Sequence, residues 1–285
     1  MTPEQAIVLA CAALGADPAA ATVLRAADAI TVQVDDARVA RVIPTATVPA
    51  ADTRRVLAAI AELDGHILEP LGEPIGIDDA LVVPYPRIFP NGDQQRDLGI
   101  AGACLAGLHA RGRAALERGA IDLPTFDPRA IAERWLDRGA TVFTRDERER
   151  LLTAIDTAWP EVAGPTTVIH GDAHLGNWWP AHPDWWVLID PEFLSIGPAV
   201  YDLAPLEVVE RRLGTPPSRF PSFLAGYESA DGAVDRRALA SAIHVRELLS
   251  VAWLAARSAH DSESALRTRR RLIDALERRE GTWLA

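Results

Sequence analysis

Two short apolar runs, each breaking abruptly into polar residues, constrain this chain more than anything else in it. The first is Val168-Ile169, followed by His170-Gly171-Asp172-Ala173-His174-Leu175-Gly176-Asn177. The second is Trp186-Val187-Leu188-Ile189, followed by Asp190-Pro191-Glu192. Apolar, β-branched residues ahead of a polar turn are what a buried strand shows when its end delivers side chains to a cleft. The delivered groups are His170, Asp172, Asn177 and Asp190. Such groups orient a hydroxyl, accept its proton and hold a hard cation. A plainer account makes Asp172 a cap for the segment that follows it. A third gathers His170, Asp172 and His174 around Zn²⁺ or Fe²⁺, as in a metal-dependent hydrolase, and leaves Asn177 and the Asp190 strand without a part.

Asp172 and Asn177 stand five positions apart. That is the spacing of the kinase loop H-R-D-x-x-x-x-N, whose Asp accepts the substrate hydroxyl proton and whose Asn binds Mg²⁺. Asp190 then supplies a second metal carboxylate, and the combination points to phosphoryl transfer. The blocks His170 to Asn177, Ile189-Asp190-Pro191-Glu192 and Tyr201-Asp202-Leu203-Ala204 resemble, in order and spacing, the aminoglycoside phosphotransferase and choline kinase group of small-molecule kinases. A fainter likeness covers Leu105-Ala106-Gly107-Leu108-His109.

The resemblance implies an α+β, two-lobed protein-kinase-like fold. A small antiparallel sheet lobe would occupy residues 1–86 and a mostly helical lobe residues 87–285. It implies ATP (GTP not excluded), Mg²⁺, and transfer of the γ-phosphate to a hydroxyl of a small molecule: an aminoglycoside-like antibiotic, an amino sugar or an amino alcohol. Asp172 is then the proton acceptor, His170 fixes its loop, Asn177 and Asp190 hold the metal, and Asp202 is a structural tie. Glu192 replaces the last residue of the kinase D-F-G motif, in reach of a second metal or a cationic acceptor. Glu247, Trp253 and Asp261, in the C-terminal helices, are candidate acceptor contacts.

Before these blocks, Thr2, Pro3 and Gly15 bracket a helix over 3–14. Alternation predicts strands at 23–25, 30–34 and 38–43, with Pro44 as the stop. The chain contains no lysine, so the third-strand cation of a kinase is Arg41, on one face with Val39 and Ile43. Arginine keeps the charge and changes the geometry with which phosphate is held; the alternative leaves Arg41 facing solvent on an edge strand. The turn at residues 25–29 lacks glycine, and the helix expected over 50–63 offers only Asp52 or Glu62 as a partner for Arg41.

Residues 80–86 read as a strand broken by Pro84 and Pro86. By the resemblance Val83 to Arg87 form the hinge that reads the adenine edge, with Val83 and Tyr85 as contacts. Helices are expected at 97–115, where His109 reads as a packed residue, and at 127–139 and 144–158. The run of four Trp within residues 178–186 is a hairpin, with at least two of the rings in the core. Residues beyond 205 read as helical, including a long helix over 238–259.

The net charge of −11 argues against nucleic acid as a partner. It suits a cationic acceptor, although it says more about solubility than about a site. No apolar run reads as a membrane span. Met1-Thr2-Pro3-Glu4 is acidic where a secretory leader would be basic. Cys11 and Cys104 sit in apolar helical patterns and offer no disulfide framework. The expectation is a cytoplasmic monomer or homodimer. A kinase fold that binds a nucleotide or ligand without transferring phosphate remains the main alternative to an enzyme.

Overall fold

The computed structural model describes residues 1–26, 29–46, 50–88, 98–182, 185–214 and 219–283. Helix α1 (Pro3–Leu14) is closed at its start by a reciprocal pair between Thr2 and Gln5 and at its end by Gly15 at φ 62°. Its buried face, Ala6, Ala10 and Cys11, lies on a five-stranded antiparallel sheet of order β1-β2-β3-β5-β4. The strands are β1 (Thr22–Ala26), β2 (Ile30–Gln33), β3 (Arg38–Pro44), β4 (Ile75–Ile77) and β5 (Ala80–Pro86).

Alternation sorts β3: Ala40 and Val42 turn toward α1, so Arg41 takes the opposite face. Because β3 lies between β2 and β5, Arg41 is on a central strand and its side chain is only 14% exposed. The edge-strand alternative is therefore set aside. Pro44 ends β3 from within the ladder, opposite Ala80. β5 also differs from expectation, running through both prolines without a break. Pro84 O accepts from Leu71 N on the side away from β3, and β4 pairs only with Ala80 to Val82. The missing proline N–H thus falls on an edge that has no partner strand to supply.

The remaining elements are α2 (Ala50–Ala61), α3 (Gly99–Glu117), α4 (Pro128–Arg138), α5 (Arg145–Ala158), β6 (Thr166–Ile169), β7 (Trp178–His182), β8 (Trp185–Leu188), β9 (Ser195–Pro198), α6 (Ala204–Leu213), α7 (Phe220–Ser229), α8 (Arg236–Ser258) and α9 (Ser262–Leu276). The expected start of α3 at Asp97, the turn residues Ala27 and Asp28, and the hairpin tip Pro183-Asp184 lie outside the described residues. Trp178 and Trp186 are buried, whereas Trp185 is exposed. Ala59 and Ile60 of α2, with Leu63 and Ile67, join the larger core around α3, not the smaller one beneath α1. α8 is long and apolar enough to cross a bilayer, contrary to the expectation from sequence. That apolarity is used inside the protein, where α8 packs against α4, α5, α6 and α9.

Helix α3 is the axis of the larger core, and glycine lets α7 cross it backbone to backbone. A Cβ on Gly102 would stand 1.9 Å from Phe223 O, and one on Gly226 would stand 1.9 Å from Gly99 O. Backbone cannot yield as a side-chain tip can. Gly226→Ala is therefore expected to cost about 1–3 kcal/mol or more, against near neutrality for alanine at an exposed glycine, as read by urea unfolding.

Two buried histidines make stability depend on pH. Burial, and then Arg111, hold the His66 pKa at about 4; burial, and then Arg278, do the same for His244. In the unfolded chain both titrate near pH 6.5. Above that pH neither contributes. As pH falls from 6.5 toward 4 the unfolded chain takes up protons that the folded one refuses, which costs up to about 3 kcal/mol for each. Urea midpoints should fall between pH 7 and 5, and His66→Gln with His244→Gln should flatten the slope.

Candidate active site

β6 runs buried from Thr167 to Ile169 and pairs with β9, and its end places His170 at the head of a loop. The loop is fixed from beneath. Asp202, fully buried in the short turn before α6, accepts from His170 N at 2.6 Å and Gly171 N at 2.7 Å. The same carboxylate lies 3.2 Å from His109 Nε2, and His109 Nδ1 lies 2.8 Å from the Tyr227 hydroxyl. With Nε2–H donating to Asp202 and the tyrosine donating to Nδ1, every group in the chain is satisfied. His109 is thus a buttress of the loop as well as a packed residue. Gly171 has φ 80°, and a Cβ there would meet Phe193 O at 2.7 Å.

His170 turns both ring nitrogens inward, Nε2 to Ile189 O at 3.0 Å and Nδ1 to Asp172 N at 3.3 Å. Its ring therefore ties the first strand–turn unit to the second. Asn177 makes a further tie: its side-chain amide donates to Asp172 O at 2.9 Å, and its backbone carbonyl accepts from Ile189 N at 2.9 Å. The spent amide nitrogen leaves Asn177 Oδ1 as the free acceptor. Asp190 follows Ile189 directly, at φ 65°, a left-handed conformation that few residues other than Gly, Asn and Asp adopt readily. Asp172, Asn177 and Asp190 are in this way brought to one mouth. Among the described residues no group of three or more His, Cys, Asp or Glu side chains is arranged to hold a metal. With both His170 nitrogens engaged, the His-Asp-His hydrolase site does not form.

Arginines answer these carboxylates. From the facing sheet, Arg25 Nη1 lies 2.7 Å from Asp190 Oδ2 and Arg41 Nη1 2.5 Å from Asp190 Oδ1, while Arg41 Nη2 pairs with Glu192. An irregularity in β1 between Val23 and Arg25 shifts the register there, as bulges beside functional sites do. Burial pushes the Asp190 carboxyl up, but Arg41 and Arg25 outweigh it and hold the pKa below the ordinary carboxylate value. An ionised carboxylate and an amide oxygen are hard ligands of the kind Mg²⁺ takes, so the residues present fit such an ion. The helix acids expected to pair with Arg41 do not: Glu62 pairs with Arg118, and Asp52 lies nearest Arg55.

Asp172 is held from the other side. Arg246 Nη2, on α8, lies 2.6 Å from Asp172 Oδ1, and the two side chains are 13% and 20% exposed. Burial works against the Arg246 charge, but Asp172 and Tyr201 together outweigh it and raise the pKa. His174 Nε2 stands 3.6 Å from the other Asp172 oxygen; burial nevertheless keeps its pKa below the ordinary histidine value.

Asp172, Asp190 and Glu192 open onto a cavity of about 930 Å³ between the sheet, the loops and α4, α6, α8 and α9. Trp253 lines it and stacks under Arg257 at 5.1 Å. Glu247 does not reach it. That carboxylate is 2% exposed and accepts from Arg211 at 2.5 Å and Arg212 at 2.6 Å, so it anchors α6 to α8 and is withdrawn as an acceptor contact. Asp261 caps α9 through Glu263 N. Val83 is buried opposite Arg41 in the ladder, and Tyr85, its pKa raised by burial, sits beside Arg41 and Asp190.

Sequence reasoning missed Arg25 and Arg246. Arg246 carried one signal, a lone cation within a run of buried α8 positions. Arg25 carried none, because its aim depends on a change of register.

Residues 21–242 match the family model of the phosphotransferase enzyme family. No curated protein sequence matches the chain. Among solved structures, an amicoumacin kinase in complex with AMP-PNP, Ca²⁺ and Ami is similar at TM-score 0.76 and 14% identity, over 96% of this chain and 93% of that one. The choline kinase LicA from Streptococcus pneumoniae gives 0.61 at 14%, over 90% and 93%. An aminoglycoside phosphotransferase, APH(3'')-Id from Streptomyces rimosus, gives 0.62 at 18%, over 87% and 99%. At these identities the likeness is one of fold.

Proposed function

The chain belongs to the phosphotransferase enzyme family, and we propose that it phosphorylates a hydroxyl of a small molecule, with ATP as donor, taken with Mg²⁺ in the cytoplasm. The observation that carries this reading is the meeting of two charge sets across one cleft. Asp172, Asn177 and Asp190 stand on the loops; Arg25 and Arg41 reach Asp190 from the sheet. Catalysis of phosphoryl transfer rests on positioning and on charge neutralisation, and both are built here from fixed side chains.

Asn177 Oδ1 and Asp190 would hold the divalent ion, which when bound shields the charge of the phosphates. Arg41 and Arg25 exchange Asp190 for phosphate oxygens. Asp172 orients the acceptor hydroxyl and takes its proton, with Arg246 paired to its other oxygen in the meantime. His170 and Asp202 hold the loop still. The backbone of Val83 to Arg87 reads the adenine edge, with Tyr85 beside it. Glu192 fixes Arg41 and stands where the acceptor enters.

The test is stabilisation by nucleotide, followed by turnover. ATP should raise the melting temperature only with Mg²⁺ present, because a ligand that binds the native state shifts unfolding. Asp190→Asn should abolish that shift, and ATP consumption should require an alcohol from an acceptor panel. Binding without transfer to any hydroxyl would favour a non-catalytic nucleotide-binding protein. No response to ATP or GTP with Mg²⁺ would remove both readings.

A further inference from the structure

The distal wall of the cavity is charged in the sense opposite to the protein as a whole. The chain carries −11, yet each carboxylate on the cavity is already answered by an arginine: Asp172 by Arg246, Asp190 by Arg25 and Arg41, Glu192 by Arg41. Elsewhere the lining adds Arg138, Arg212, Arg257 and Arg271 and no further acid. Glu247 answers Arg212 from behind the wall. Among the described residues no carboxylate pairs with Arg257 or Arg271. Arg257 lies over the Trp253 ring, and Arg271 donates to Trp283 O at 2.8 Å. Burial, with Arg267 nearby, pulls the Arg271 pKa below its ordinary value, as befits a cation without a counter-charge.

The spacing of these groups adds a dimension. Arg246 and Arg257 lie on one helix eleven residues apart, roughly 16 Å along its axis, with Ser250 and Trp253 on the lining between them. A guanidinium over an indole face keeps its N–H groups free to meet a carboxylate, sulfate or phosphate. Trp135, Trp253 and Leu254 make the wall between apolar. The volume suits a drug-sized ligand.

We infer that the acceptor is an elongated hydroxylated molecule with an apolar or aromatic body and an anionic group at the end far from Asp172, and that the site disfavours polycations. This rests on the proposed role of Asp172, which sets where the hydroxyl lies. The cationic acceptor suggested by net charge is thereby replaced, because the local wall and the global charge have opposite signs.

A matched series tests it: 12-hydroxydodecanoate, its primary amide, and 12-aminododecan-1-ol, titrated by tryptophan fluorescence without nucleotide. The three share a twelve-carbon chain and a hydroxyl and differ in the group, and with it the charge, at the far end. The acid should bind about tenfold tighter than the amide, with the amino alcohol weakest, although the protein's overall charge favours the cation. Arg257→Gln alone should narrow the acid-to-amide gap, and Arg257→Gln with Arg271→Gln should close it. Tighter or equal binding of the amino alcohol, an unchanged gap in the variants, or no binding of the acid at millimolar concentration each overturns the inference. Binding with the expected charge preference but no phosphorylation by any nucleotide would instead count against the proposed function alone.

Discussion

Asp172→Asn should lower kcat by about 10²- to 10⁴-fold while the Mg²⁺-dependent affinity for ATP changes little. The size follows from what a positioned proton acceptor contributes to such a transfer. The specificity follows from geometry. On the proposed reading Asp172 serves the acceptor, whereas the nucleotide and its ion are left to Asn177, Asp190, Arg25 and Arg41. Asparagine keeps the size of the side chain and removes its charge, so Arg246 loses a partner at 2.6 Å and part of the folding stability goes with it. The assay therefore belongs at a temperature where circular dichroism shows the variant folded. Turnover within tenfold of wild type would remove Asp172 from the role of proton acceptor.

The largest loss of stability is expected from Asp202→Ala. That carboxylate is wholly buried and accepts from two backbone N–H groups and one imidazole. Without it, His170 N and Gly171 N lose their partners, and the His109–Tyr227 pair loses the acid that ends it. Burying donors unsatisfied costs about 1–3 kcal/mol each, and removing one member of a buried charged network about 3–5 in all. For a chain of this size that corresponds to a fall in melting temperature on the order of 10 °C. Asp202→Asn keeps one acceptor oxygen and should cost less. A variant as stable as wild type would mean that water or a shifted backbone serves the two N–H groups.

What could be read from the chain was what depends on neighbours in sequence. The Thr2 cap, the alternation of β2 and β3 and the two strand–turn units are all set within a few residues, and the structure shows each of them. The gathering of Asp172, Asn177 and Asp190 was legible for the same reason, since the spacing inside each loop is local. Arg246 and Arg25 were not, because each meets its acid from an element far away in the chain. Glu247 shows the converse. An acid on a C-terminal helix invites a ligand contact on paper, but which way it turns was decided by Arg211 and Arg212 of α6. The path of β5 through two prolines likewise depended on which edge of the sheet lacked a neighbour.

Arg41 grips Asp190 with one nitrogen and Glu192 with the other. An ammonium group in its place is a single point of charge and, so placed, would serve one of those acids well and leave the second wanting. The two-pronged cation thus takes over the duty that a helix-borne glutamate performs for a lysine: it is steadied by the loop of Asp190 and Glu192 itself, without help from α2. A lobe wired in this way has no use for an acid at the middle of that helix, where the chain carries Arg54 and Arg55.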